Sequence, residues 1–288
     1  MTGLTDYSAK NQLNYLTGQT AMPALPAVYL ALFTAVGTDA GTGFTEASGT
    51  NYARVQVAGN ATTNATTSTS SPTLHFASVP SWIVAGMSAY DATTGQEIGT
   101  VASTGSGVVT LAANASSAVG NGDVINFSAF SQAANSGPST ASNNAAISFA
   151  TPGTGGWGTA LAFGLYDASS SGNLLAWDYL GNYSWLPCTI SSASPGVITA
   201  KGHGYSAADN VIFSTEYGGT APSFSQSNLT GVLAVVSPTT DTFTVTNSST
   251  AVNTSSTGDG MVRKIIQQTI PANVVTTFPA STLVLSAA

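Results

Sequence analysis

Few side chains in this sequence have the type and spacing to do chemistry. The carboxylates Asp91, Glu97, Asp167 and Asp178 fall in separate alternating runs and turns. Two of them meeting in space would make the acid and nucleophile of a glycosidase, but the sequence has no solenoid repeat from which to build a long polysaccharide groove. His75 and His203 are the two histidines. His203 sits in the turn-like GHGY, and no second His or Cys cluster lies at metal-ligand spacing from it. Cys188 is alone, which excludes a disulfide framework and a thiolate metal site. The glycine-rich GTGGWG has no Lys and no helix to follow, so it is not a phosphate loop. GYSAA lacks the second glycine of a nucleophile elbow. Asp39, Asp123, Asp209 and Asp259 stand in turns rich in Gly and Asn, where an Asx side chain closes the turn itself, and no Asp-x-Asp-x-Asp calcium loop is present. These residues predict no enzyme, no cofactor and no metal.

Composition narrows the partners. The chain has 288 residues, of which 43% are hydrophobic and 6% charged. An ordinary globular protein carries roughly a quarter charged residues, so the polar surface here must come from Ser, Thr, Asn and Gly. Such a surface gains little from charge repulsion and tolerates repeated contact with identical copies. The net charge of −7, with five Lys and Arg in all, argues against a nucleic-acid partner. The start, MTGLTDYSAK, has no positive n-region and no apolar h-region, so no signal peptide is expected. The longest apolar run, about residues 24–36, is broken by Pro26 and is shorter than the ~20 residues a membrane span needs.

The elements that would position any site are almost all strands. One helix is predicted, from Thr5 to Leu16, with Thr5 or Asp6 as N-cap and Gly18 at its stop; Tyr7, Ala9, Leu13 and Leu16 would share one face. After it, short alternating runs between Gly, Pro, Asn and Ser predict an all-β protein. VYLALFTA (28–35) is the first clear strand and NYARVQV (51–57) the second. GWGTALAFGLYDA (156–168) alternates unevenly: Trp157, Thr159, Leu161, Phe163 and Leu165 on one face, and Gly158, Ala160, Ala162 and Gly164 on the other. A face so bare invites close approach, either by another part of the same chain or by a neighbouring subunit. Trp157, Trp177, Trp185 and Tyr183 gather in this region; they fill space between sheets if buried and can bind sugar if exposed. Gly158, Ala160, Ala162 and Gly164, with Trp177 and Trp185, are therefore the candidate contact surface.

Polar stretches at 59–73, 131–144 and 191–196 divide the chain. Residues 59–73 read as a flexible or extended connector. Two blocks between these stretches look related. GVVTL (107–111) precedes DVINFS (123–128), and GVITA (196–200) precedes DNVIFS (209–214). If both blocks are insertions, residues 1–58, 133–190 and 265–288 form one discontinuous core domain, with a first inserted β-module at 59–132 and a second at 191–264. The fold expected is an all-β sandwich core with a short N-terminal helix and two small inserted β-modules.

The core segments carry an ordered series: LTDYSAKNQLNYLTG, VYLALFTAVGTDAGTG, TEASGTNYARV and SNNAAISFATPGTGGWGTALAFGLYDASSSGNLLAWDYL. This series resembles the phage tail fibre proteins, small virion proteins of tailed bacteriophages, over roughly half the chain. The resemblance implies a structural subunit of a tail fibre or tail appendage, assembled in the host cytoplasm into the virion. It implies other virion proteins and further copies of the same chain as partners, with the cyclic order, threefold or otherwise, left open. Two alternatives stay open: a decoration protein on the capsid surface, and a receptor-binding protein that recognises host surface glycans through its aromatics.

Overall fold

The computed structural model describes residues 3–20, 27–131, 139–215, 218–224 and 231–287. The protein is all-β, with one α-helix, Asp6–Leu16, among the described residues. Thr5 caps that helix, its side chain accepting from Ser8 N, and Gly18 follows it at φ 73°. The chain divides into two compact units, Thr2–Asp178 with Thr269–Ala288, and Tyr179–Gln268.

In the larger unit, one long sheet runs in the order Gly3–Leu4, Leu174–Tyr179, Ala162–Tyr166, Val28–Ala35, Val55–Thr62 and on through Val124–Ser128. The run VYLALFTA lies at the centre, and Leu30, Ala31, Leu32 and Phe33 are all fully buried. A strand apolar on both faces needs cover on both faces, which is why this stretch shows no clean alternation. The C-terminal segment makes three short strand pairs, antiparallel with Ser139–Ser142 and Ile147–Ser148, and a further one with Gly158–Ala160. Phe149, Trp157, Phe278 and Tyr52 form one aromatic group beside these pairs, with ring centroids 5.1 to 6.3 Å apart.

Residues 55–128 form six antiparallel strands: Val55–Thr62, Thr73–His75, Ser88–Asp91, Gln96–Gly105, Val108–Leu111 and Val124–Ser128. Numbered one to six in chain order, they lie side by side as 1-6-3-4-5-2. Strand two returns to strand one through the bridge between Thr63 and Phe76, and Asn64 N donates to His75 O at 3.0 Å. The sheet therefore closes on itself around Leu74, Ile98, Val109, Ile125 and Phe127, all fully buried.

The smaller unit repeats this plan. Its six main strands are Leu186–Ile190, Ile198–Thr199, Asn210–Ser214, Leu233–Val236, Thr242–Asn247 and Gly258–Ile265, and they too lie in the order 1-6-3-4-5-2. Ile198 pairs with Phe243 to close the ring. The core holds Cys188, Ile190, Val211, Leu233, Val235, Phe243, Val245 and Val262. Equivalent hairpins each set one buried apolar pair face to face: Val101 with Leu111 in the first barrel, and Val235 with Val245 in the second. Closure pairs the ring strands on both sides among the described residues, which removes edges open to unwanted pairing.

The sequence matches noted between the blocks do not follow this equivalence. GVVTL lies on the fifth strand of its barrel and GVITA on the second, while DVINFS lies on the sixth and DNVIFS on the third. A β-branched run after a glycine recurs because every half-buried strand needs one. The connector expected at 59–73 also differs. Residues 59–62 complete a barrel strand, and Thr63 and Thr67 are buried, their hydroxyls donating to Gly120 O and Thr73 O at 2.7 Å. Threonine suits a strand, and its hydroxyl can be satisfied inside; composition alone conveys neither fact.

Candidate functional site

The bare face at 156–168 is split between two strands, with Leu161 at the break. Gly158 is exposed at φ +84°, Ala160 and Ala162 are fully buried, and Gly164 is buried. Ala162 pairs with Phe33 and Gly164 with Ala31, so these four residues share one face. The Phe33 ring leans diagonally over Gly164, and a Cβ built there would stand 2.5 Å from the ring and 2.7 Å from Leu174 Cδ1. An aromatic ring of the adjacent strand thus fills the room a glycine leaves.

The tryptophans part company. Trp157 is buried, and its indole N–H donates to Thr50 O at 3.0 Å. Trp177 is buried edge-on to Phe44, at 5.1 Å between centroids, and donates to Asp39 Oδ1 at 3.2 Å. In the smaller unit, Trp185 is half-buried with the Arg263 guanidinium 5.9 Å from its ring, and Tyr183 is exposed beside Lys264.

The polar candidates serve turns. Asp123 accepts from Gly120 N and Asp209 from Ser206 N, each three residues upstream, and Asp259 accepts from Thr220 N. Burial pushes the Asp209 carboxyl up, but the pairing with Lys264 at 2.8 Å and the Ser206 amide together outweigh it and hold the group below its ordinary value. Asp167 accepts from Asn173 N and Nδ2. Asp91 is fully buried and accepts from Thr93 N and Thr94 N, whereas Glu97 is exposed and pairs across from Tyr90, on the opposite face. His203 is buried against Tyr205 and Phe243, its Nδ1 accepting from Tyr205 N at 2.9 Å. Among the described residues, no three His, Cys, Asp or Glu side chains gather to hold a metal ion.

Three surface features stand apart. The helix Asp6–Leu16 buries none of its residues; Leu13 is 61% exposed and Leu16 70%. Its base is fastened to the larger unit, with Thr5 N donating to Leu175 O and Asp6 N to Asp39 O. A cleft of about 230 Å³ is lined by Val55, Val57, Trp82, Val84, Met87 and Ile147 together with Gln56 and two serines. Another of about 220 Å³ lies on the outside of the first barrel among Ser88, Tyr90, Glu97, Asn126, Ser128 and Phe130. The sequence reading passed over both clefts. The available signal for the second was the alternation of VINFS, which carries Asn126 on an outward position; SAYD, polar at 88, 90 and 91, gives none.

The sequence matches the family described as Podophage GP4 fiber I protein gp80, over residues 3–135 and 125–184. The chain belongs to that fibre family. The matched residues take in the helix, the long sheet and the whole of the first barrel, and they end before the second. Comparison with curated proteins gives no match. Members of the gp80 fibre family are phage structural proteins, a context in which turn-closing aspartates and buried tryptophans are at home. None of the described helices is long and apolar enough to cross a membrane.

Proposed function

We propose that this gp80-family protein is a structural subunit of a phage tail fibre or tail appendage, built into the virion through the larger unit. Family membership over residues 3–184 carries the reading. The helix at the start of that span supports it. An isolated helix of eleven residues is marginal in water, yet this one keeps its leucines uncovered on a firmly tethered base, as an attachment element would. The protein acts by contact with other virion proteins and with its own copies; a surface poor in charge favours such packing. The two barrels are the projecting modules, and no catalytic group is assigned.

Quantitative mass spectrometry of purified virions tests this. On the order of tens of copies per particle, set by the symmetry of a tail structure, is the expected result. Copies on the order of hundreds would assign the protein to the capsid surface instead. Labelled antibodies seen at the tail by electron microscopy would give the same answer independently.

A further inference from the structure

We propose that the outer face of the first barrel binds a neutral pyranose sugar in the cleft bounded by Tyr90, Glu97 and Asn126, an activity that goes beyond a structural role in the virion. The register makes the site. Tyr90 stands directly opposite Asn126 on one side and Glu97 on the other, and Ser88 stands opposite Ser128 one pleat along. Residues paired in this way share a face, so one phenol ring, one amide, one carboxylate and two hydroxyls converge on about 220 Å³, with Phe130 at one end. The other face of the same strands holds Ala89, Asp91, Ile125 and Phe127, all buried, which fixes the register and with it the outward set.

The chemistry of that set suits a sugar ring. Apolar C–H edges of a pyranose lie against an aromatic face, while its vicinal hydroxyls need paired donors and acceptors. Tyr90 supplies the first, with only the edge of the buried Phe130 beside it; Asn126 supplies both donor and acceptor, and Glu97 supplies two acceptor oxygens. None of the Tyr90, Glu97 and Asn126 side-chain polar groups is spent on another described residue. Ser88 and Ser128 are partly engaged, accepting from Asn144 Nδ2 and Phe130 N, and so act as a shaped floor. The volume is below the roughly 300 Å³ at which drug-sized pockets begin, which fits one ring. Among the described residues Glu97 is the one charged residue lining the cleft, and the chain is net negative, so acidic sugars are disfavoured. One carboxylate is also too few for a calcium site.

The test is a titration of the purified full-length protein, followed by NMR shift changes, with D-glucose, D-galactose, D-mannose and N-acetyl-D-glucosamine separately, up to about 50 mM. N-Acetylneuraminic acid is the acidic comparison. Saturable, weak binding of at least one neutral sugar is expected, with Tyr90→Ala or Asn126→Ala weakening it by about tenfold or more. Tyr90→Phe keeps the ring and should retain most of the binding, and Glu97→Gln should weaken it several-fold; both are conservative enough to preserve the fold, checked by thermal melts. Absence of saturable binding by all four neutral sugars overturns the proposal. So does binding that survives Tyr90→Ala unchanged, or equal binding of the acidic sugar. The free protein is the sample throughout, so failure here leaves the tail-fibre reading untouched.

Discussion

Gly164 lies beneath the ring of Phe33, two strand neighbours locked in a fit that has no room for a methyl group. The built Cβ at Gly164 falls 2.5 Å from Phe33 Cε2, and Phe33 is fully buried, so the ring has nowhere to go. Gly164→Ala should therefore destabilise the larger unit by about 1–3 kcal/mol through overpacking. The combination Gly164→Ala with Phe33→Leu should cost less than the two changes summed. Thermal melts decide it; an alanine variant as stable as the parent would mean that the ring is free to move.

Arg54 ties three pieces of the larger unit together. Its Nε and Nη2 grip Glu46 at 3.0 and 2.8 Å, Nη1 donates to Ala168 O and Ser171 O, and the guanidinium lies 3.4 Å from the centre of the Tyr166 ring. Tyr52 completes the group, donating to Glu46 Oε1 at 2.9 Å and accepting from Leu32 N at 3.1 Å, and burial pushes its phenol far up. Arg54→Met strands a partly buried carboxylate and should cost on the order of 3 kcal/mol. Arg54→Lys keeps the charge but loses the fork and the stacking, so it should rescue only part of that loss. Urea denaturation of the two variants side by side measures both effects.

The second barrel should weaken in alkali. Burial, helped by Asp259, pushes the Cys188 thiol up to about 12, and burial also pushes Tyr205 up to about 12. The unfolded chain releases the thiol proton near pH 9 while the native barrel holds it. The stabilisation is thus complete below pH 9 and is lost as pH climbs toward 12. Cys188→Ala should lower stability at pH 7 by leaving a small cavity, but flatten the decline between pH 9 and 11. A thiol reagent at pH 8 should label Cys188 only as fast as the barrel opens; immediate labelling of native protein would contradict this.

The helix and the strand Val28–Ala35 were legible because each depends on local chemistry: a Thr cap with a terminal glycine, and an apolar run long enough for one strand. The small-residue alternation at 158–164 was legible too, but not what fills it, since Phe33 lies some 130 residues away in sequence and reaches Gly164 only through strand pairing. Register hid the Tyr90 cleft in the same way. A slip of one residue would send Tyr90 inward and Asp91 outward, and no local signal forbids that slip. The similarity of GVVTL to GVITA and of DVINFS to DNVIFS is no guide to the two barrels, because the matched segments fall on strands that are not equivalent.

Leu13 and Leu16 stay largely exposed, at 61% and 70%, and neither is buried by the described residues. Replacing both with serine should leave the melting of the free protein within about 0.5 kcal/mol of the parent and abolish incorporation into particles. Thr5→Ala should behave differently. It removes the cap and the donation to Leu174 O, and should cost about 1 kcal/mol. If the double serine variant assembles normally, the helix is not the attachment element.

Chain entry and exit meet at the second barrel: Ile266 N donates to Leu180 O at 2.9 Å. Residues 181–265 can therefore be replaced by a short Gly-Ser turn without stretching the remaining chain, because the ends to be joined are already hydrogen-bonded neighbours. The gp80 family match stops at residue 184, ahead of all but the first residues of that segment. The shortened protein should melt cooperatively, keep the larger unit intact and enter particles as the full chain does. Any change should be confined to adsorption, the property expected of a projecting module. Deleting residues 1–20 should instead prevent incorporation. Particles that keep the protein after the N-terminal deletion and lose it after removal of the barrel would reverse the assignment of anchor and projection.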